Sequence, residues 1–478
     1  MPHVGLQGPL QPPLYFPMPF RPETVPSDIL YIVLEQLTDR RDWHAAALAS
    51  WSFNRAATPL LYRTIDTDTR TRRASGSQVL HPAFTLLRKP DLARYVRHIH
   101  ETSVLHASNP EVTSTILDAL RLCTSLHSFA WMDDTSSSPA VFMAFLDVLK
   151  GIPFRALTLR TYSDLGEPTW TVLNTLSGLQ KISVWSMDGP PRVLQGWAGQ
   201  LGSTLKELEL GRCAGVPASI LISVLSQLPL LRDLRLKGAP SAAIPDILTC
   251  LPNLVSLDTE YLGSGILRPS DDPLPPLKRL TVRTSSVDLQ GPVQLWSWLR
   301  QLIPRPSLEG FVLNAFSTQG QTTIPRHFLL SLARTHGETL KQFLVNMTQL
   351  TLEDIHCICT LFPNLEELSC AVASPDAESI ERAIAKGHNL RCLKLHVHWL
   401  PNSYSLDDFS PYSPNSPSAR FGKSDAEALM MREGSRIRTL SMGPHVYSGS
   451  WMPRLDANGR VQLDFEIVED TQYYARGS

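Results

Sequence analysis

Cysteine is scarce in this chain. Seven are spread over 478 residues, at Cys123, Cys213, Cys250, Cys357, Cys359, Cys370 and Cys392, too few and too irregularly spaced for a disulfide framework. Free thiols serving as small buried hydrophobes in a reducing compartment are expected. A charge excess is missing too: 44 basic side chains face 45 acidic ones, a formal net charge of −1. That balance removes the electrostatic ground for nucleic acid or an anionic membrane as the main partner and leaves another protein. No apolar run approaches the roughly 18 residues of a membrane span. The opening MPHVGLQGPLQPPLYFPMPFRPE is broken by proline too often for a signal-peptide core. The chain is therefore expected in the cytosol, the nucleus or both.

Strings that carry chemistry are also lacking. H-E-x-x-H, G-x-S-x-G and G-x-G-x-x-G do not occur, so nothing in the sequence supports an enzyme. Cys357-Ile-Cys359 falls on an expected helix, where positions two apart face different ways, and no second pair stands at zinc-finger spacing. His396 and His398 share one strand face, yet Cys392 is ~13 Å from His396 along that strand. Gly422-Lys423-Ser424 has Pro417 where a phosphate-binding loop needs its first glycine. No metal and no cofactor are expected.

What is present is a period. A composition of 43% hydrophobic and 19% charged residues suits a globular chain, and an L-x-x-L-x-L frame recurs along it. The frame reads FRALTL at Phe154, LQKISV at Leu179, LKELEL at Leu205, LRDLRL at Leu231, LVSLDT at Leu254 and LKRLTV at Leu277. It continues as LEGFVL at Leu308, LKQFLV at Leu340, LEELSC at Leu365, LRCLKL at Leu390 and IRTLSM at Ile437, with weaker copies VRHIHE at Val96 and LHSFAW at Leu126. From Phe154 to Leu390 the starts are 25, 26, 26, 23, 23, 31, 32, 25 and 25 residues apart. The last two apolar positions of each frame stand two apart, as a strand with one buried face requires.

Between the strands lie helical spacings. In PASILISVLSQLP, Ile220, Val224 and Leu228 form one stripe, widened by Leu221 and Leu225. One strand and one helix cannot bury both apolar faces alone, so neighbours must stack into an α/β solenoid. Residues 91–470 resemble the leucine-rich-repeat family, which implies a horseshoe of strand–helix units.

Residues 25–66 follow another plan. VPSDILYIVLEQL opens with Pro26, Ser27 and Asp28, suited to a helix start, and Ile29, Val33 and Leu37 follow at four-residue steps with Leu30 and Leu34 beside them. A second helix is expected from Asp42 and a third over Ser52–Ile65. This stretch resembles the F-box: Val25-Pro26 its Leu-Pro opening, Ser27-Asp28-Ile29-Leu30 its x-Glu-Ile-Leu, and Asp42-Trp43 the Asp-Leu of its second helix. Leu48, Ser50 and Phe53 match its apolar-x-Ser-x-x-Trp string, and AATPLLYRTI its ending. Val25, Trp43 and Phe53 depart from the pattern.

An F-box before leucine-rich repeats implies the substrate-recognition subunit of a Skp-cullin-F-box ubiquitin ligase, a non-catalytic receptor. The helices would dock a Skp-type adaptor, held by a cullin scaffold, through Val25, Pro26, Ile29, Leu30, Leu34 and Leu37. The repeats would bind a target protein on their concave strand face. Arg160, Trp185, Arg235, Glu260, Arg283 and His396 are the candidates there, because Trp and Arg are enriched at interface hot spots. The alternative is a repeat scaffold unconnected with ubiquitin, whose N-terminal helices cap the solenoid.

Two segments fall outside the repeat plan. Residues 1–24 read as a flexible proline-rich arm. A serine- and proline-rich insertion at about 402–424 reads as disordered, with Ser410, Ser413 and Ser416 each before proline as sites for phosphate. The alternating run VQLDFEIVED after Asn458-Gly459 reads as a terminal cap.

Overall fold

The structure is a computed structural model that describes residues 25–66, 81–108, 110–133, 139–263, 273–284, 291–315, 324–400, 421–455 and 461–471. The arm 1–24 and Ser410, Ser413 and Ser416 lie outside the described residues. Two compact units emerge, residues 1–130 with 140–154, and residues 131–139 with 155–478.

The first unit opens with three helices, α1 (Ser27–Glu35), α2 (Arg40–Ala49) and α3 (Trp51–Arg63). α1 starts where Pro26 fixes the backbone and its carbonyl accepts the Leu30 amide at 3.1 Å. α2 begins at Arg40, two residues before the expected Asp42, because Asp39 supplies the N-cap and accepts from the Arg41 amide at 2.8 Å. Ser50 caps α3 through the Phe53 amide at 3.3 Å. α3 stops at Arg63, short of the expected Ile65, because Thr64 and Ile65 pair as β1 (Thr64–Asp66) beside His98 and Ile99 of β2 (His98–Thr102) in parallel. Leu30, Leu34, Ala47, Ala56, Ala57 and Leu60 form the core of the three helices. Trp43 closes it, donating its indole N–H to the Leu34 carbonyl at 2.7 Å.

The first frame carries an anomaly. Glu101 occupies the sixth position of VRHIHE, where every later frame but that of Thr259 buries an apolar side chain, and it too is buried. His106 Nε2 stands 3.3 Å from one carboxylate oxygen and His81 Nε2 3.9 Å from the other. A charged group in such a place requires polar neighbours of this kind.

Strand β3 (Ser128–Asp133) follows, and the second unit continues with β4 (Ala156–Thr161), β5 (Lys181–Ser186), β6 (Glu207–Leu210), β7 (Asp233–Leu236) and β8 (Ser256–Tyr261). Then come β9 (Arg279–Thr284), β10 (Gly310–Ala315), β11 (Gln342–Leu350), β12 (Glu367–Ser374), β13 (Cys392–Trp399) and β14 (Thr439–Met442). Every strand from β2 to β14 begins two residues after the start of its frame. The sheet of the second unit runs in chain order, parallel from β4 to β14. This is an α/β solenoid of the leucine-rich-repeat kind. Frame positions one, four and six are buried in every copy, as with Leu205, Leu208 and Leu210. Helices such as Ala218–Leu225 bury Leu221, Val224 and Leu225 on that side, while Ile220, expected on the same stripe, remains half-buried.

A further regularity lies one residue before the frame. Thr204, Ser307 and Thr339 donate their hydroxyls to the first frame carbonyl of the preceding repeat, those of Leu179, Leu277 and Leu308, each at 2.8 Å. Asn253, Asn364 and Asn389 have a longer reach and donate to Pro229, Glu338 and Pro363, two residues before that frame, at 2.8–2.9 Å. Each bond ties one repeat to the next at a turn whose carbonyl no helix or strand satisfies.

The seven cysteines are free, and burial pushes the Cys123, Cys213 and Cys359 thiols up to about 12. The insertion expected to extend to 424 ends earlier. Phe421 is buried, its ring 6.1 Å from that of Tyr447, and a helix starts at Lys423 with the Asp425 carboxylate on the Gly422 amide. The expected terminal strand is one half of an antiparallel ribbon, β15 (His445–Leu455) and β16 (Val461–Thr471).

Two outcomes follow from this packing. Asn364→Ala lowers stability by ~1 kcal/mol, the net worth of one hydrogen bond, read as a smaller urea midpoint, and Asn364→Ser loses less, because its hydroxyl has the Leu340 carbonyl to donate to, as Ser307 has that of Leu277. The second concerns His336, which accepts the Leu308 amide at Nδ1 (3.3 Å) and donates from Nε2 to the Ile303 carbonyl (3.1 Å). Burial holds its imidazole below the usual histidine range, against the opposing pull of that carbonyl. The unfolded chain therefore binds the proton more readily. This contribution is complete above about pH 6.5 and is lost as the pH falls below it, by at most ~1.4 kcal/mol per pH unit. Urea midpoints measured between pH 7.5 and 5 should fall less steeply for His336→Gln than for the native chain.

Candidate functional site

Two surfaces collect the candidate residues, one in each unit. On α1 the sequence SDILYIVLE is apolar nearly all round, more than one buried face requires. Positions 30, 34 and 37 turn inward. Leu30 and Leu34 are only 2% and 3% exposed, and Val25 and Leu37 pack half-buried against the same core. Leu30 and Leu34 are thus core residues and cannot meet a docked partner, because one helical stripe cannot both fill the three-helix core and face outward. Pro26 is exposed at the N-cap.

The opposite stripe is bare. Ile29, Ile32 and Val33 are 46%, 55% and 55% exposed, and on the neighbouring helices Leu48 and Trp51 reach 74% and 75%. Of these only Ile29 stood among the expected docking residues. Ile32 and Val33 were legible from the double-sided apolarity of the helix. Leu48 and Trp51 were not, since adjacent apolar residues at a helix junction look like core.

In the second unit the alternate positions of β4 to β9 line the open face of the sheet. Register sets one row as Ser183, Glu209, Arg235 and Asp258, and the next as Arg160, Trp185, Lys237, Glu260 and Arg283. The first row is linked end to end by polar contacts, with Arg283 reaching in from the second. The Ser183 hydroxyl donates to Glu209 at 2.7 Å, Arg235 bridges Glu209 (3.0 Å) and Asp258 (2.9 Å), and Arg283 meets Asp258 at 2.5 Å. Burial pushes the Glu209 carboxyl up, but Ser183, Trp185, Arg235 and Arg160 together hold it below its usual range. At Asp258 burial wins, and the carboxyl lies above its usual range despite Arg283 and Arg235. Glu260 accepts the Gly238 amide at 2.7 Å and so secures a turn.

Trp185 lies across Gly211, whose missing side chain makes the room: a Cβ there would collide with the indole. Arg160, from the β4 side, stands 5.6 Å from the ring centroid, and Lys237 of the β7 edge 5.0 Å. Of the expected target-binding residues, Arg160 and Trp185 are brought together. Arg235, Glu260 and Arg283 are adjacent to them but committed to internal partners. His396, on β13, lies eight strands beyond Trp185, ~40 Å along the sheet; burial, then His398, holds its imidazole below the usual range. Among the described residues no group of three His, Cys, Asp or Glu is placed to hold a metal ion. Gly211 escaped notice in the sequence, because nothing in LGRC announces a ring resting on it.

A scan of protein-family models finds no match to the chain, and no curated protein matches it significantly. Among solved structures, the Rad7–Elc1 complex of yeast is similar at 12% identity and a TM-score of 0.39, over 76% of this chain and 95% of that one. The Toll–Spatzle complex of Drosophila is similar at 13% and 0.32, over 68% and 50%. The complex of TLR13 with ssRNA13 is similar at 12% and 0.30, over 65% and 52%. Likeness at this level leaves the functional reading to the chain's own residues.

The stack at Gly211 is open to a coupling test. Gly211→Ala should lower stability by ~1–3 kcal/mol through overpacking, and Trp185→Ala in the same chain should restore most of that loss, as a double-variant cycle in urea would read.

Proposed function

We propose that this chain is the substrate-recognition subunit of a Skp-cullin-F-box type ubiquitin ligase, a receptor without chemistry of its own. The observation that carries the reading is the bare stripe Ile29, Ile32 and Val33 on a helix whose other face already completes a core. A helix serving only as a cap would turn its apolar stripe toward the structure it caps. Here three β-branched side chains on neighbouring turns remain in water, which is a docking surface for an apolar partner. A Skp-type adaptor is that partner in this reading, and the adaptor is in turn held by a cullin scaffold.

The solenoid then holds a target protein on its open strand face, and the mechanism is proximity. Adaptor and target bound to one chain raise the effective concentration of the target's lysines before a ubiquitin-charged enzyme, with no catalytic group needed from this chain. It works in the cytosol or nucleus, where that machinery resides.

The reading is tested by co-purifying the full chain with a Skp-type adaptor. Ile29→Asp with Val33→Asp should abolish capture while circular dichroism stays native, because both side chains are exposed. Leu34→Asp should instead unfold the three helices and lose capture for that reason. Capture unchanged by the exposed pair, or absent with the native chain, would remove the ubiquitin part of the reading.

A further inference from the structure

The charges around Trp185 do not balance locally. Glu209, Asp258 and Glu260 are each occupied, by Ser183 and Arg235, by Arg235 and Arg283, and by the Gly238 amide. Among the described residues Arg160 and Lys237 have no ion-pair partner, although both are held within 5.6 Å of one indole centroid. Two like charges gathered on one ring repel each other, and the ring's quadrupole offsets this only in part. Glu209 feels the field of Arg160, but among the described residues no carboxylate comes within ion-pair distance of either cation. The stack is also shaped in advance, because the ring occupies the space that a side chain at Gly211 would fill.

Beside it lie two exposed apolar side chains. Tyr162 and Met187, 55% and 59% exposed, stand two residues beyond Arg160 and Trp185, each immediately past the end of its strand. Their backbones are held in line with the sheet, the Met187 amide on the Thr161 carbonyl (3.0 Å) and the Asp188 amide on the Tyr162 carbonyl (2.9 Å). A pair of unpaired cations, a half-buried indole between them and an apolar shelf next to it are complementary to one kind of ligand.

We infer that the Arg160–Trp185–Lys237 stack is the recognition subsite for an acidic segment of the target polypeptide. Its Asp or Glu carboxylates meet the two cations, and a large aliphatic or aromatic side chain rests on the indole, Tyr162 and Met187. This rests on the receptor reading only for who supplies the segment; the chemistry of the subsite stands apart from it. The cations and the indole face the same ligand, so they act together, and the indole, as the rigid apolar anchor, contributes most.

The test selects unmodified random twelve-residue peptides displayed on phage against the full-length protein. The native chain should enrich peptides in which at least two acidic residues flank a large apolar one. A synthetic peptide from that selection should bind at least tenfold more weakly to Arg160→Gln with Lys237→Gln and to Trp185→Ala. Its affinity for the native chain should fall as sodium chloride rises from 50 to 500 mM. Arg160 and Lys237 are exposed and Trp185 is half-buried on the open face, so these substitutions leave circular dichroism and adaptor capture unchanged. Enrichment of neutral or basic peptides, no enrichment, or acidic peptides that bind the variants equally would overturn the inference. So would a peptide that binds only when phosphoserine replaces its carboxylate. Adaptor capture separates the two claims: its absence alongside acidic selection removes the receptor reading and leaves the subsite, while the reverse removes the subsite alone.

Discussion

The open face of the repeats is set by the burial of the frame leucines. One strand and one helix cannot cover positions one, four and six of a frame, so each repeat needs the next on its flank. That need fixes the parallel register strand by strand, because a slip of one residue would send every buried side chain into water. The bonds from Thr204, Asn253, Ser307, Thr339, Asn364 and Asn389 enforce the same register from the turns. Once it is fixed, the residues between the leucines have no freedom of side: Arg160, Trp185 and Lys237 meet because the leucines around them must be buried.

The same constraint separates two kinds of charge on the open face. Glu209, Arg235 and Asp258 stand in register on adjacent strands, Arg283 reaches Asp258 diagonally from the next row, and the four satisfy one another, adding rigidity and, as partly exposed pairs, ~0–1 kcal/mol each. Arg160 and Lys237 are three strands apart with Gly211 between them. Only a ring reaching across that glycine can connect them, and the ring carries no charge to answer theirs. The two cations are left without an ion-pair partner where the sheet's own pairing stops short.

Much of this was legible before any fold was known. The frame placed the start of every strand from β2 to β14, since a period-two apolar pair next to a leucine three residues earlier has few other solutions. The inward position of Glu101 broke that rule, because a carboxylate in a leucine slot needs polar neighbours such as His81 and His106, which come from outside the frame. In the N-terminal helices the stripe Leu30, Leu34 and Leu37 and the stripe Ile29 and Val33 were equally apolar, so periodicity could not say which fills the core. Trp43 decides it, by donating to the Leu34 carbonyl from α2. Gly211 was illegible, since its role lies in a contact with a residue 26 positions earlier.

In the reading proposed above, the outward stripe of α1 and the open face of the repeats are two separate protein-docking surfaces. Hydrogen exchange of the full chain, with and without a purified Skp-type adaptor, addresses the first most directly. Amides of residues 27–35 should exchange several-fold more slowly in the presence of adaptor, while those of β4 to β9 are unaffected. Unchanged exchange in α1, at adaptor concentrations that saturate a known F-box protein, would contradict the account.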